Sequence, residues 1–266
     1  MAAIQSVDEN LREAMRCYSY VCADGEVRQL PGISIASSGI NFSVFNSVMF
    51  TSRVDDLDDL ERRVNLGEIH FTARRLGRSY WICEDMLSPK VRRNIRKFFQ
   101  NRAMQIVAEP PGMFCERPNP PSRRLPDMEF RPVCNQRTRF DFVELACTVF
   151  TLPFHVGDKI YGAESTWESG MAGYVGYVGE KPVSIVSTVL GGDAVGVYSL
   201  GTAPQYQGHG YAESIMRYAL KDVRQKTGVE RSVLQTTRSG RRLYERMGYK
   251  AVTRFTVFTR ESCGSI

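Results

Sequence analysis

The 266-residue chain has only three histidines and two tryptophans, and its seven cysteines (17, 22, 83, 115, 134, 147 and 263) stand at no paired spacing. Zinc sites need C-x-x-C or H-x-H clusters, so no metal is expected. An odd, scattered set of cysteines reads as free thiols in a cytoplasmic protein. Long apolar runs are also missing. None approaches the roughly 20 residues that span a bilayer, so no membrane association is expected. The first ten residues lack the basic-then-apolar pattern of a secretion signal. Lys and Arg outnumber Asp and Glu by 35 to 29, for a net charge of +6. One group of basic residues (Lys90, Arg92, Arg93, Arg96, Lys97, Arg102) lies on one predicted helix as a solvated face. A second gathers after residue 220. Neither is interleaved with aromatics, so nucleic acid is not an expected partner.

Six of the twelve prolines fall in residues 108–127. Proline fixes φ and removes a donor, so this stretch is expected to be neither helix nor central strand. It divides the chain into an amino-terminal lobe (1–109), a linker (110–127) and a carboxy-terminal domain (128–266).

The two halves share a pattern. The run Phe98 to Val107 aligns, 145 residues earlier, with Leu243 to Val252, and both turn from helix into strand. Upstream, Ile40 to Phe50 alternates like a strand pair, Val54 to Arg75 has helical spacing, and Ser79 to Cys83 reads as a strand. The order β–α–β–α–β therefore occurs twice, which predicts a duplicated lobe. Its first copy has lost its chemistry. Thr51 to Asp56 holds two acids and no glycine, and Phe99 stands where the second copy has Tyr244.

In the second copy a strand-like run, Val195 to Leu200, is followed by the motif Gln205, Tyr206, Gln207, Gly208, His209, Gly210, which opens an amphipathic helix reaching about Lys226. Two glycines at this spacing let the backbone approach a ligand, and the helix N-terminus then offers N–H donors and its dipole to a phosphate. A second strand (Arg231 to Thr237) follows. Next come a short helix ending in Leu243, Tyr244, Glu245, Arg246, Met247, Gly248 and Tyr249, and a third strand from Lys250 to Thr259. This order, with both motifs, resembles the GNAT superfamily of acyl-CoA-dependent N-acyltransferases over residues 128–262. The resemblance implies an α/β (α+β) fold of two GNAT-like lobes, each a mixed, mostly antiparallel sheet flanked by helices. It also implies transfer of an acetyl group from acetyl-CoA to a primary amine of a small molecule.

By that resemblance Gln207, Gly208, His209, Gly210, Tyr211 and Ala212 supply N–H groups to the pyrophosphate. Leu200, Gly201 and Thr202 form the splayed strand end that pairs with the pantetheine arm, and Arg241 or Arg242 meets a CoA phosphate. Tyr244 is the expected acid, because a phenol is protonated at neutral pH and can hand its proton to a thiolate. The base stays open among Asp193, Glu164, Glu168, His155 and a relayed water. Phe154, Tyr161, Trp167 and Glu168, between the first two strands of the domain, are expected to meet the acceptor, as is Asn41 of the amino-terminal lobe; the aromatics equally suit a core. An acyl-CoA sensor without turnover and a protein N-acetyltransferase are the alternative readings.

Overall fold

The computed structural model describes residues 2–20, 22–168 and 170–260, so Cys263 lies outside the described residues. The amino-terminal lobe begins with a helix, α1 (Ala2–Tyr20), and a hairpin of β1 (Glu26–Leu30) and β2 (Ile33–Ser37). Pro31 and Gly32 make the hairpin turn. Proline presets φ at the first corner, and Gly32 takes the φ of 83° that the second corner needs. Then come β3 (Asn46–Phe50), α2 (Leu57–Arg74), β4 (Ser79–Cys83), α3 (Pro89–Gln100), β5 (Gln105–Ala108) and β6 (Pro111–Cys115).

The carboxy-terminal lobe runs β7 (Glu129–Pro132), α4 (Gln136–Phe150), α5 (Phe154–Gly157), α6 (Glu164–Glu168), β8 (Met171–Val178) and β9 (Lys181–Gly191). It closes with β10 (Ala194–Thr202), α7 (Tyr211–Thr227), β11 (Ser232–Gln235), α8 (Arg241–Arg246) and β12 (Lys250–Thr259). A helical turn, Asp158–Gly162, joins α5 to α6.

The strands form one mixed, mostly antiparallel sheet in the order β1-β2-β3-β4-β12-β6-β11-β10-β9-β8-β7, with β5 beside β12. The order reads nearly the same from either end. Each lobe has one parallel pair, β3 with β4 and β10 with β11, and their final strands are exchanged. Residues Phe255–Thr259 of β12 pair with β4 of the amino-terminal lobe. Strand β6 pairs with β11 of the carboxy-terminal lobe. The 145-residue offset carries β5 and β6 together onto β12, so the repeat extends through the exchanged strands.

Two expectations change here. The proline-rich stretch does not begin as a linker: Pro111–Cys115 is a central strand. Pro110 and Pro111 stand only at its start, and Gly112 to Cys115 keep their N–H groups for the ladder. A boundary at residue 110 therefore cuts through a shared sheet. The segment Ile40 to Phe50 holds one strand, β3, preceded by a short 3-10 turn at Ser43–Phe45. Asn46 explains the turn, since its buried amide donates to the carbonyls of Ile40 (2.7 Å) and Gly77 (2.8 Å).

Alternate residues of β8–β10 face two layers. Tyr174, Val186 and Val197 pack with Ile215, Met216 and Ala219 of α7. Val175, Ile185 and Val189 pack with α1 and α4 on the other side. Helix α1 thus belongs in sequence to one lobe and covers the sheet of the other. Asn10, fully buried, fastens it by donating to Val189, Gly191 and Ala194 carbonyls at 2.9–3.2 Å.

Candidate active site

Strand β10 pairs with β11 only at Val195–Ser232 and Gly196–Val233, and the two strands then part. The chain leaves β10 at Thr202, turns through Pro204–Tyr206 and reaches the glycine loop. Gln207 stabilises the turn by donating its side-chain N–H to the Thr202 carbonyl at 3.1 Å. Gly208 and Gly210 have φ of 81° and 97°, the left-handed region that costs other residues most. Space beside Gly208 is open, with no atom within 4 Å of where a Cβ would stand. Gly210 caps α7 without a side chain. The N–H groups of Gly208 to Ala212 meet no acceptor among the described residues. An uncapped helix of 17 residues and these donors make an anion-receptive cradle.

Glu213, in the first turn of α7, would oppose an anion. It is buried and paired with Arg217, whose Nε and Nη2 lie 2.9 and 2.8 Å from its Oε1. Arg217 also donates to the carbonyl of Asn119 at 2.6 Å, which draws the 116–127 segment across the outside of α7. That segment brings Arg123 to the cradle. Its Nη2 stands 3.1 Å from the Cβ position of Gly210, and it has no carboxylate partner among the described residues. The sequence reading missed Arg123, because only tertiary folding carries the linker over the loop.

Tyr244 lies on α8 with its ring in the core beside Met216 and Met247, edge-on to Tyr249 at a centroid distance of 5.9 Å. Its hydroxyl has no hydrogen-bond partner among the described residues. Burial raises its pKa, which keeps the phenol protonated. Arg241 is exposed and donates to Glu245 Oε1 at 2.7 Å, the next turn of the same helix.

Asp193 does not stand near these groups. It lies in the turn before β10, at the end of the strand opposite the glycine loop, about 30 Å along an extended chain. It accepts from Ser6 at 2.6 Å and pairs with Arg231 at 2.5 Å, and both lower its pKa. Asp193 anchors α1, and its place at the far end of β10 does not suit the expected base. Glu164 is exposed, 3.9 Å from Arg139. Glu168 and His155 are exposed, and so is Phe154, which lies near the Phe140 ring. Tyr161 is core, packed with Tyr18 and Phe142, and Trp167 donates to its carbonyl at 3.0 Å. Asn41 accepts from the Gly77 N–H at 2.8 Å.

None of Asn41, Phe154, Tyr161, Trp167 and Glu168, the residues expected to meet the acceptor, lines the cleft between the lobes. That cleft, of about 460 Å³, opens between Asp24, Ser38 and Ile40 of the amino-terminal lobe and Asp158, Lys159 and Gly162 of the other. The place in the first copy that corresponds to the glycine loop is closed. Asp56 caps α2 by accepting from the Asp59 N–H at 2.8 Å. Buried Arg63 holds the Ser52 and Arg53 carbonyls at 2.7 and 2.8 Å, and Phe99 is fully buried.

Residues 161–251 match the family described as an acetyltransferase (GNAT) domain. No curated protein matches the chain in sequence. Among solved structures it is similar to a GCN5-related N-acetyltransferase from Kribbella flavida, at 14% identity and a TM-score of 0.71, covering 97% of this chain and 95% of that one. A second, from Sphaerobacter thermophilus, has 15% identity, a TM-score of 0.61 and coverage of 88% and 78%. A tandem GNAT protein from the clavulanic acid biosynthesis pathway has 10% identity, a TM-score of 0.56 and coverage of 88% and 79%. At such identities the likeness is one of fold, and it runs through both lobes. The motifs of β10–α7 and α8 stand in their expected order within residues 161–251, the part of the chain that matches the GNAT acetyltransferase domain, and the whole chain has the fold of solved GNAT proteins.

Proposed function

We propose that the protein transfers an acetyl group from acetyl-CoA to a primary amine of a small molecule by direct attack. The observation that carries this reading is the uncapped, glycine-lined N-terminus of α7 beside the mouth where β10 leaves β11. In this reading the N–H groups of residues 207–212 hold the diphosphate, Arg123 lies close enough to add charge, and Leu200 to Thr202 pair with the pantetheine arm. The cleft between the lobes is the route for the acceptor. Asp24 and Asp158 at its walls, against Lys159, leave a net negative charge that favours approach of an amine in its ammonium form. The ammonium first loses a proton to water, the amine lone pair then attacks the acyl carbon, the C–S bond breaks as Tyr244 protonates the departing thiolate, and the proton still carried by nitrogen passes through water to restore Tyr244. Cys22, Cys83, Cys115, Cys134 and Cys147 are free thiols, which fits a reducing compartment such as the cytoplasm.

Tyr244→Phe tests the assignment. It removes one oxygen and keeps the ring, so acetyl-CoA affinity should hold while the single-turnover rate falls about 10²-fold. A wild-type rate would return Tyr244 to a packing role. The place of Asp193, held by Ser6 and Arg231 at the end of β10 away from the glycine loop, supports a second reading, an acyl-CoA sensor that does not turn over. Thiol release from acetyl-CoA with a panel of amines separates the two: a sensor binds and releases none.

A further inference from the structure

Consecutive residues of a strand ordinarily point to opposite faces. On β10 this alternation breaks. Pairing with β9 shifts register between Tyr198 and Gly201, and Ser199 has a φ of 48°. A bulge of this kind re-aims a side chain. Tyr198 and Ser199 consequently both face α1. The Tyr198 hydroxyl donates to Asn10 Oδ1 at 2.8 Å, while Ser199 Oγ lies 3.2 Å from the Tyr18 hydroxyl and 3.0 Å from that of Tyr161.

Proton counting limits the orientations open to the group. Tyr18 and Tyr161 are 6% and 3% exposed, and burial raises both pKa values, so each keeps a proton that needs an acceptor. A serine hydroxyl accepts two hydrogen bonds and donates one. In the arrangement in which both phenols donate to Ser199 Oγ, rather than to each other or to Ser187, its lone pairs are filled and its own O–H turns away from them. Ser199 is half-buried, so that O–H is within reach of a ligand. It also immediately precedes Leu200. A CoA with its diphosphate at residues 207–212 and its pantetheine along Thr202 to Leu200 brings the thioester next to Ser199.

We propose that the Ser199 hydroxyl donates a hydrogen bond to the thioester carbonyl oxygen, with Tyr18 of the amino-terminal lobe and Tyr161 of the carboxy-terminal lobe as positioning residues. The proposal rests on the acyl-CoA reading given above. As the amine forms the N–C bond, the carbonyl π pair moves onto oxygen, and it returns when the C–S pair leaves with sulfur. Ser199 stabilises the charged oxygen and keeps its proton throughout. The lobe without its own glycine loop thereby acts on the chemistry of the other.

The test reads the bond itself and needs no amine. Infrared difference spectra of [1-¹³C]acetyl-CoA bound to the full chain should show a carbonyl stretch lower than in solution. Ser199→Ala should move it back toward the solution value, with the acetyl-CoA Kd within about twofold of wild type. Because Ser199→Ala orphans two buried phenols, the triple variant Tyr18→Phe, Tyr161→Phe, Ser199→Ala provides a folded control. Removing all partners of a buried hydrogen bond together is nearly neutral. It should lose the same part of the shift, and Tyr18→Phe alone should lose some of it. An identical stretch in wild type and triple variant overturns the proposal. If wild type binds no acetyl-CoA, the acyl-CoA reading itself fails.

Discussion

Phe99 of α3 and Phe258 of β12 stack face to face, with ring centroids 4.1 Å apart and planes 14° from parallel. One belongs to the amino-terminal lobe by sequence, the other to the last strand of the chain. Both are fully buried. The contact exists only because the two lobes exchange their final strands.

Phe258→Ala should therefore destabilise the whole protein by about 3–5 kcal/mol, the usual cost of emptying a buried aromatic site. Chemical denaturation should show one transition for both lobes. Residues 1–127 and 128–266 made separately should each fail to fold, since each then lacks the strand that completes its sheet, and should recover when co-expressed. A fragment 128–266 that unfolds cooperatively by itself would contradict the exchange.

Cofactor affinity should depend on the glycine loop. Gly208→Glu and Gly210→Glu force a side chain onto left-handed backbone and set a carboxylate where N–H groups face an anion. Acetyl-CoA binding by titration calorimetry should weaken at least tenfold, about 1.4 kcal/mol. Unchanged affinity in a folded variant would move the cofactor away from α7.

One acetyl-CoA should bind per chain. The N-terminus of α2 is already capped by Asp56, and Arg63 holds the loop carbonyls ahead of it. A stoichiometry of two by titration would mean that this closed loop opens.

Asp8 of α1 should make stability fall as pH rises. Burial lifts its pKa from the ordinary 3.8 to about 6, only partly offset by Arg12 at 3.1 Å. Between those values the folded chain keeps a proton that the unfolded chain has lost, so stability drops through pH 4–6 and stays lower above. The shift corresponds to about 3 kcal/mol at most. Asp8→Asn should raise Tm relative to wild type at pH 7 and not at pH 4. A Tm difference independent of pH would show that Asp8 is not titrating in this range.

The order of elements in the carboxy-terminal lobe, the glycine loop of Gly208 and Gly210, the position of Tyr244 and the spent loop of the first copy were all legible in sequence. Each depends on signals within a dozen residues: helical periodicity, the φ freedom of glycine, the presence or loss of one hydroxyl. Tertiary structure alone decided that Pro111–Cys115 is a central strand, that Asp193 is bound to Ser6 and Arg231, that Arg123 reaches Gly210, and that Tyr18 meets Ser199. These are pairings between residues far apart in the chain. They follow from sheet register and strand exchange, which arise when two half-sheets bury each other's open edges, and no local pattern encodes which distant edge will be there.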